Sequence, residues 1–137
     1  MGIGDNDNKI LQDLEAKLEK DSDNIALRMT FAEKLGNQDF IEKAIEQYEI
    51  LALKEPVNYI HYYNLGVSYD KLNNPKKSLG YFKTAVELND KCVDAYYSLA
   101  YAYDRLGLIP QAIEVYKTTL ALDPQDANSY FNLGCIY

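Results

Sequence analysis

The chain repeats itself every 34 residues, and this period constrains its folding more than any other feature of the 137-residue sequence. Tyr62, Tyr96 and Tyr130 fall in one column and Leu65, Leu99 and Leu133 in another, followed by Gly66, Ala100 and Gly134, then by Tyr69, Tyr103 and Tyr137. Farther along the row, Ala44, Ser78 and Ala112 align, as do Tyr48, Phe82 and Tyr116, and Pro56, Asp90 and Pro124. A unit this short cannot bury its apolar face alone and must stack on its neighbours. Repetition also accounts for an uneven aromatic content of 13 Tyr, 4 Phe and no Trp.

With rows starting at Ile25, Tyr59, Val93 and Ala127, large residues at row positions 4, 7 and 11, with a small one at 8, form one helical face. The small residue lets a neighbouring helix approach closely. Positions 20, 21, 24, 27 and 28 form a second stripe, represented in one row by Ser78, Leu79, Phe82, Ala85 and Val86. Breakers separate the stripes at Leu72–Pro75 and Leu106–Pro110, and each row closes near Pro56, Asp90 or Pro124. The unit is therefore a helical hairpin, with positions 4, 7, 8, 11, 20, 24 and 27 expected in the core.

These columns resemble the tetratricopeptide repeat family, whose pattern has an aromatic at 4, Leu-Gly at 7 and 8, Tyr at 11, Ala at 20, an aromatic at 24, Ala at 27 and Pro at 32. Residues 59–126 carry it most fully. The first row is more divergent, with Arg28 at 4 and Leu35 at 11, but keeps Phe31-Ala32, Ala44, Tyr48 and Pro56. The resemblance implies an all-α, right-handed α-solenoid of antiparallel hairpins with about eight helices. Its expected parts are a disordered tail over 1–8 and a single superhelix over 9–137. The superhelix divides into a leading helix at 9–24, full repeats at 25–58, 59–92 and 93–126, and a partial fourth repeat at 127–137.

In this family the ligand groove is lined by first-helix positions 2, 5, 9, 12 and 13, which share a face because they recur three or four residues apart. Here they supply Met29, Glu33, Tyr63, Val67, Asp70, Lys71, Asp94, Tyr97, Tyr101, Asp104, Arg105, Asn128 and Phe131. Position 6 reads Thr30, Asn64, Ser98 and Asn132, small polar groups able to exchange hydrogen bonds with a peptide main chain. The resemblance makes Asn64 and Asn132 candidate clamps. Tyrosine combines apolar area with a polar tip, and a tyrosine column beside a core already filled suggests a binding surface. The competing reading is that Tyr63 and Tyr97 fill space between adjacent first helices.

Repeat proteins of this family that grip acidic chaperone tails use a basic and Asn clamp. At the corresponding five positions this chain has Met29, Glu33, Asn64, Asp94 and Ser98, so only Asn64 fits, and a basic or apolar-aromatic peptide is the expected ligand. Tyr130, Leu133 and Tyr137 belong to a face that would pack on a following helix, which makes them candidates for self-association and homo-oligomers. A secretion-type chaperone of three repeats would fit the same architecture.

Charge and composition narrow the function further. With 14 Lys+Arg against 21 Asp+Glu the net charge is −7, and residues 1–58 carry 13 acidic and 7 basic side chains. Neither a nucleic-acid surface nor a basic lipid-binding stretch is present. There is no 18-residue apolar run and no basic-then-apolar leader, so neither a membrane partner nor export is expected, and a cytoplasmic location is the default. Asn6 stands where myristoylation favours Ser or Thr. Cys92 and Cys135 read as reduced thiols without metal partners, and no cofactor is expected. The single histidine, His61, sits at row position 3, an expected surface or inter-repeat site. With no nucleophile–base pair or phosphate loop, a non-enzymatic protein-interaction module is the expected function.

Overall fold

The computed structural model describes residues 4–137 and contains eight helices and no strand among them. They are α1 (Asp5–Lys20), α2 (Ile25–Asn37), α3 (Ile41–Lys54), α4 (Tyr59–Lys71), α5 (Pro75–Leu88), α6 (Val93–Arg105), α7 (Ile109–Leu122) and α8 (Ala127–Ile136). Helix α1 begins four residues inside the expected 1–8 tail, with Asp5 and Asp7 in its first turn, where carboxylates suit the helix dipole. The first three residues of that tail lie outside the described residues. No described helix is long and apolar enough to cross a membrane.

The same local chemistry starts and stops the helices in successive rows. Asn24, Asn58 and Asp126 precede α2, α4 and α8, and each accepts a backbone N–H from the first turn, at 3.0, 3.1 and 3.2 Å. Cys92 occupies that place before α6 without a side-chain cap. Between the helices of each hairpin, row position 15 takes a left-handed backbone: Asp39 at φ 63°, Asn73 at 58° and Gly107 at 75°. The next residue then donates its N–H five residues back, from Phe40 to Leu35, Asn74 to Tyr69 and Leu108 to Tyr103, each at 2.9 Å. Three different residues therefore make one turn.

Contacts gather into two compact units, Met1–Pro56 and Val57–Tyr137. In the first, Leu11 and Leu18 of α1, Phe31 and Leu35 of α2, and Ile41, Ile45 and Leu51 of α3 are buried. Arg28, at the row position that holds tyrosine elsewhere, ties α2 to α3 by donating to Gln47 Oε1 at 2.6 Å and also donates to the Ser22 carbonyl at 2.8 Å. Lys54 pairs with Asp23 at 2.6 Å, a contact on the exposed surface where solvent screens it.

In the second unit, α4 packs on α5, α5 on α6, α6 on α7 and α7 on α8. The closest approach is at Gly66, where a Cβ would lie 2.5 Å from the Phe82 ring. Ser78, at the row position that is alanine in the flanking rows, donates its buried hydroxyl to the Gly66 carbonyl at 2.9 Å, so α4 and α5 are joined where they are closest. Phe82, Leu99 and Ala102 form one cluster, and Ala100, Ala112 and Tyr116 the next. Each large side chain among them contributes about 1.5 to 3 kcal/mol by burial.

The expected core needs one correction. Row position 3 is fully buried in successive rows, at His61, Ala95 and Ser129, whereas the position-4 tyrosines Tyr62 and Tyr96 are half-buried and Tyr130 is 56% exposed. His61 is therefore an interior side chain. The position-4 tyrosines therefore stay partly exposed, while the neighbouring position 3 is fully buried.

Candidate ligand-binding face

Helices α4 and α6 lie side by side in the second unit, and each presents row positions 5, 9 and 12 on one stripe. Between them is a pocket of about 220 Å³ lined by Val67 and Asp70 of α4, Phe82 of α5, and Tyr97, Ser98 and Tyr101 of α6. Five of these six belong to the set expected from the sequence. The sixth, Phe82, is a core residue whose ring also floors the pocket. Tyr97 and Tyr101 stack at 6.4 Å with nearly parallel rings, forming an aromatic wall.

Two recurrent bonds fix this wall. The Tyr63 hydroxyl is paired with Ser98, and Asn132 donates its side-chain amide to the hydroxyls of Tyr97 and Tyr116, both at 3.0 Å. In each case a position-5 tyrosine meets the position-6 polar residue of the next row. The position-5 and position-6 columns are thus partners across repeats. Both amide hydrogens of Asn132 go to tyrosines, so its amide nitrogen is engaged within the repeat framework. Asn64 makes no side-chain hydrogen bond with any described residue.

Tyr63 is half-buried, its ring 5.8 Å from Phe82, and burial raises its pKa. Burial likewise raises Tyr116, against the opposing hydrogen bond from Asn132. The reading that Tyr63 and Tyr97 fill space between first helices therefore holds for much of each ring, while Tyr101 is 40% exposed and Phe131 70%.

Charges border the pocket. Arg105 pairs with Asp70, donates to Asn73 Oδ1, and lies 5.8 Å from the Tyr101 ring centroid. Asp70 is thereby ion-paired at the edge of the pocket. Asp94 acts electrostatically on Tyr63 and Asp104 on Tyr116, and neither carboxylate is ion-paired among the described residues. Lys71, Asp94 and Asn128 are exposed. Met29 is half-buried and Glu33 exposed on α2, and neither lines this pocket. Of the self-association candidates, Leu133 packs with Ile136 against the Ala100–Tyr116 cluster, whereas Tyr130 and Tyr137 are 56% and 79% exposed.

Sequence reasoning missed the links of Tyr63 to Ser98, Tyr97 to Asn132 and Asp70 to Arg105. The available signal was a separation of 35, one repeat plus one residue, which pairs neighbouring columns instead of identical ones.

A tetratricopeptide repeat family model matches residues 63–127. Among solved structures the chain is similar to MamA, at 24% identity and a TM-score of 0.88, over 100% of this chain and 84% of that one. It is also similar to YrrB, described as a TPR protein with an unusual peptide-binding site, at 25% identity and 0.81, over 96% and 68%. A third similar structure is the first TPR of Spaghetti (RPAP3) bound to the HSP90 peptide SRMEEVD, at 22% and 0.79, over 82% and 89%. No curated protein matches by sequence. The fold class is an all-α repeat solenoid.

Proposed function

The chain belongs to the tetratricopeptide repeat family, matched over residues 63–127, and from that premise we propose that it is a non-enzymatic interaction module whose α4–α6 face binds a protein segment. The observation that carries this reading is the 220 Å³ pocket lined by Val67, Phe82, Tyr97 and Tyr101, large enough to seat one apolar side chain of a ligand. Asp94 and Asp104 flank the tyrosines without cationic partners, so a lysine or arginine beside that apolar residue is favoured and a carboxylate is repelled. Among its fold neighbours, one structure bound to a peptide and one described as having a peptide-binding site are consistent with such a use of the repeat.

Tyr101→Ala and Val67→Glu test the reading without cutting the Tyr63–Ser98 or Tyr97–Asn132 links. Anisotropy of a labelled peptide carrying Phe between arginines is expected to show binding, weakened at least tenfold, about 1.4 kcal/mol, in either variant. Equal binding by both variants and the parent would sink the proposal. A second reading, self-association, is favoured by the exposure of Tyr130, Phe131 and Tyr137 on and beside α8. Sedimentation over a hundredfold concentration range separates the two, since a constant monomer removes self-association and leaves peptide binding in place.

A further inference from the structure

A second pocket, of about 300 Å³, lies on α5 away from the tyrosine pocket. It is lined by Lys76, Lys77, Gly80, Tyr81 and Thr84, with Tyr62 of α4. Its chemistry differs from that of the α4–α6 face. In a chain of net charge −7, α5 carries Lys76, Lys77 and Lys83 against the single Glu87. None of the three lysines is ion-paired with a described residue. The Lys77 ammonium instead stands 4.9 Å from the centroid of Tyr69, which stacks on Tyr81 at 5.6 Å and 6°, and Lys83 stands 5.5 Å over Tyr103. The cations are held by aromatic faces, which leaves their charge available to an external anion.

Gly80 supplies the second observation. A glycine in mid-helix costs about 0.5 to 1 kcal/mol relative to alanine. At Gly66 that cost has a packing reason, because the Phe82 ring occupies the space of a Cβ; at Gly80 a Cβ would meet nothing within 4 Å. Gly80 lines the pocket with bare backbone, and the space above it is open.

We propose that this α5 pocket is a second binding site, for an acidic protein segment that seats an aromatic side chain over Gly80 and places carboxylates at Lys76 and Lys77. A carboxylate can take a charge-assisted hydrogen bond from each ammonium, while the flat ring matches the aromatic walls. A nucleic acid needs many phosphate contacts for useful affinity, and three lysines on a net-acidic chain do not supply them. Anionic membranes are recruited by clusters of about four to eight basic residues, again more than α5 provides. The site and the α4–α6 face select opposite charge, so each stands or falls independently.

The test is anisotropy with the full chain and three fluorescein-labelled decapeptides: one with a Phe flanked by four Glu, one with that Phe replaced by Ala, and one with the Glu replaced by Lys. Saturable binding of the first, at least tenfold weaker binding of the other two, and a steep loss with added salt are expected. Lys76→Glu with Lys77→Glu, and separately Gly80→Gln, are each expected to weaken the first peptide at least tenfold, while Tyr101→Ala leaves it unchanged. A Cβ at Gly80 meets nothing within 4 Å, so Gly80→Gln projects its side chain from open backbone into the pocket, and circular dichroism is expected to show retained helicity. If it does not fold, the exposed lysine pair carries the test alone. Equal binding of the Glu and Lys peptides, undiminished binding by the folded variants, or tighter binding of a labelled 20-nucleotide oligo-dT or of phosphatidylserine vesicles overturns the proposal.

Discussion

Close contact between two helices is decided at single residues here. Gly66 is where α4 meets the Phe82 ring, and a methyl group there has no free space. Gly66→Ala is expected to lose about 1 to 3 kcal/mol of stability in urea denaturation, the cost of overpacking a filled interface. Cys92 presents the converse case. Its counterparts Asn24, Asn58 and Asp126 cap their helices and it does not, so Cys92→Asn is expected to gain about 1 kcal/mol in the same measurement. Gly66 was legible in the sequence, because a small residue at position 8 is a local requirement of the hairpin. The burial of His61 was not, since a polar imidazole gives no apolar signal and its column holds the small residues Ala95 and Ser129 elsewhere.

Between elements, one device recurs: a tyrosine on one first helix held by a small polar residue on the next, as Tyr63 with Ser98 and Tyr97 with Asn132. The pairing crosses columns, so the repeat alignment shows its halves separately and conceals the bond. A double-mutant cycle of Tyr97→Phe and Asn132→Ala is expected to give single losses of about 0.5 to 1.5 kcal/mol that are less than additive, because either change removes the same hydrogen bond. Full additivity would mean the two side chains act separately. The hairpin turns show the opposite relation of sequence to structure. Asp39, Asn73 and Gly107 differ in type yet share a positive φ, because each residue can adopt the left-handed backbone that the closing bond requires.

Across the whole molecule the buried tyrosines impose a pH limit. Burial raises Tyr48 to about 12 and also raises Tyr63 and Tyr116 above the ordinary 10.0. Below pH 10 these phenols are neutral in both folded and unfolded chains. Above it the unfolded chain ionises first, so the stability they contribute is lost as pH climbs from about 10 toward 12. Thermal melts across that range are expected to fall steeply, and Tyr48→Phe to soften the decline; a melting temperature flat to pH 12 would contradict the burial of these rings. The sequence by itself determined the period and the starts of the helices that open each row, because amphipathic spacing acts within one unit, while most of the pocket lining followed from the resemblance to the repeat family. Only the tertiary structure decided that Asn132 bonds Tyr97 and Tyr116, that Asp70 pairs with Arg105 and that Gly80 faces open space while Gly66 closes a contact. Those outcomes depend on which atoms of neighbouring helices meet, and a pattern within one helix does not encode that distance.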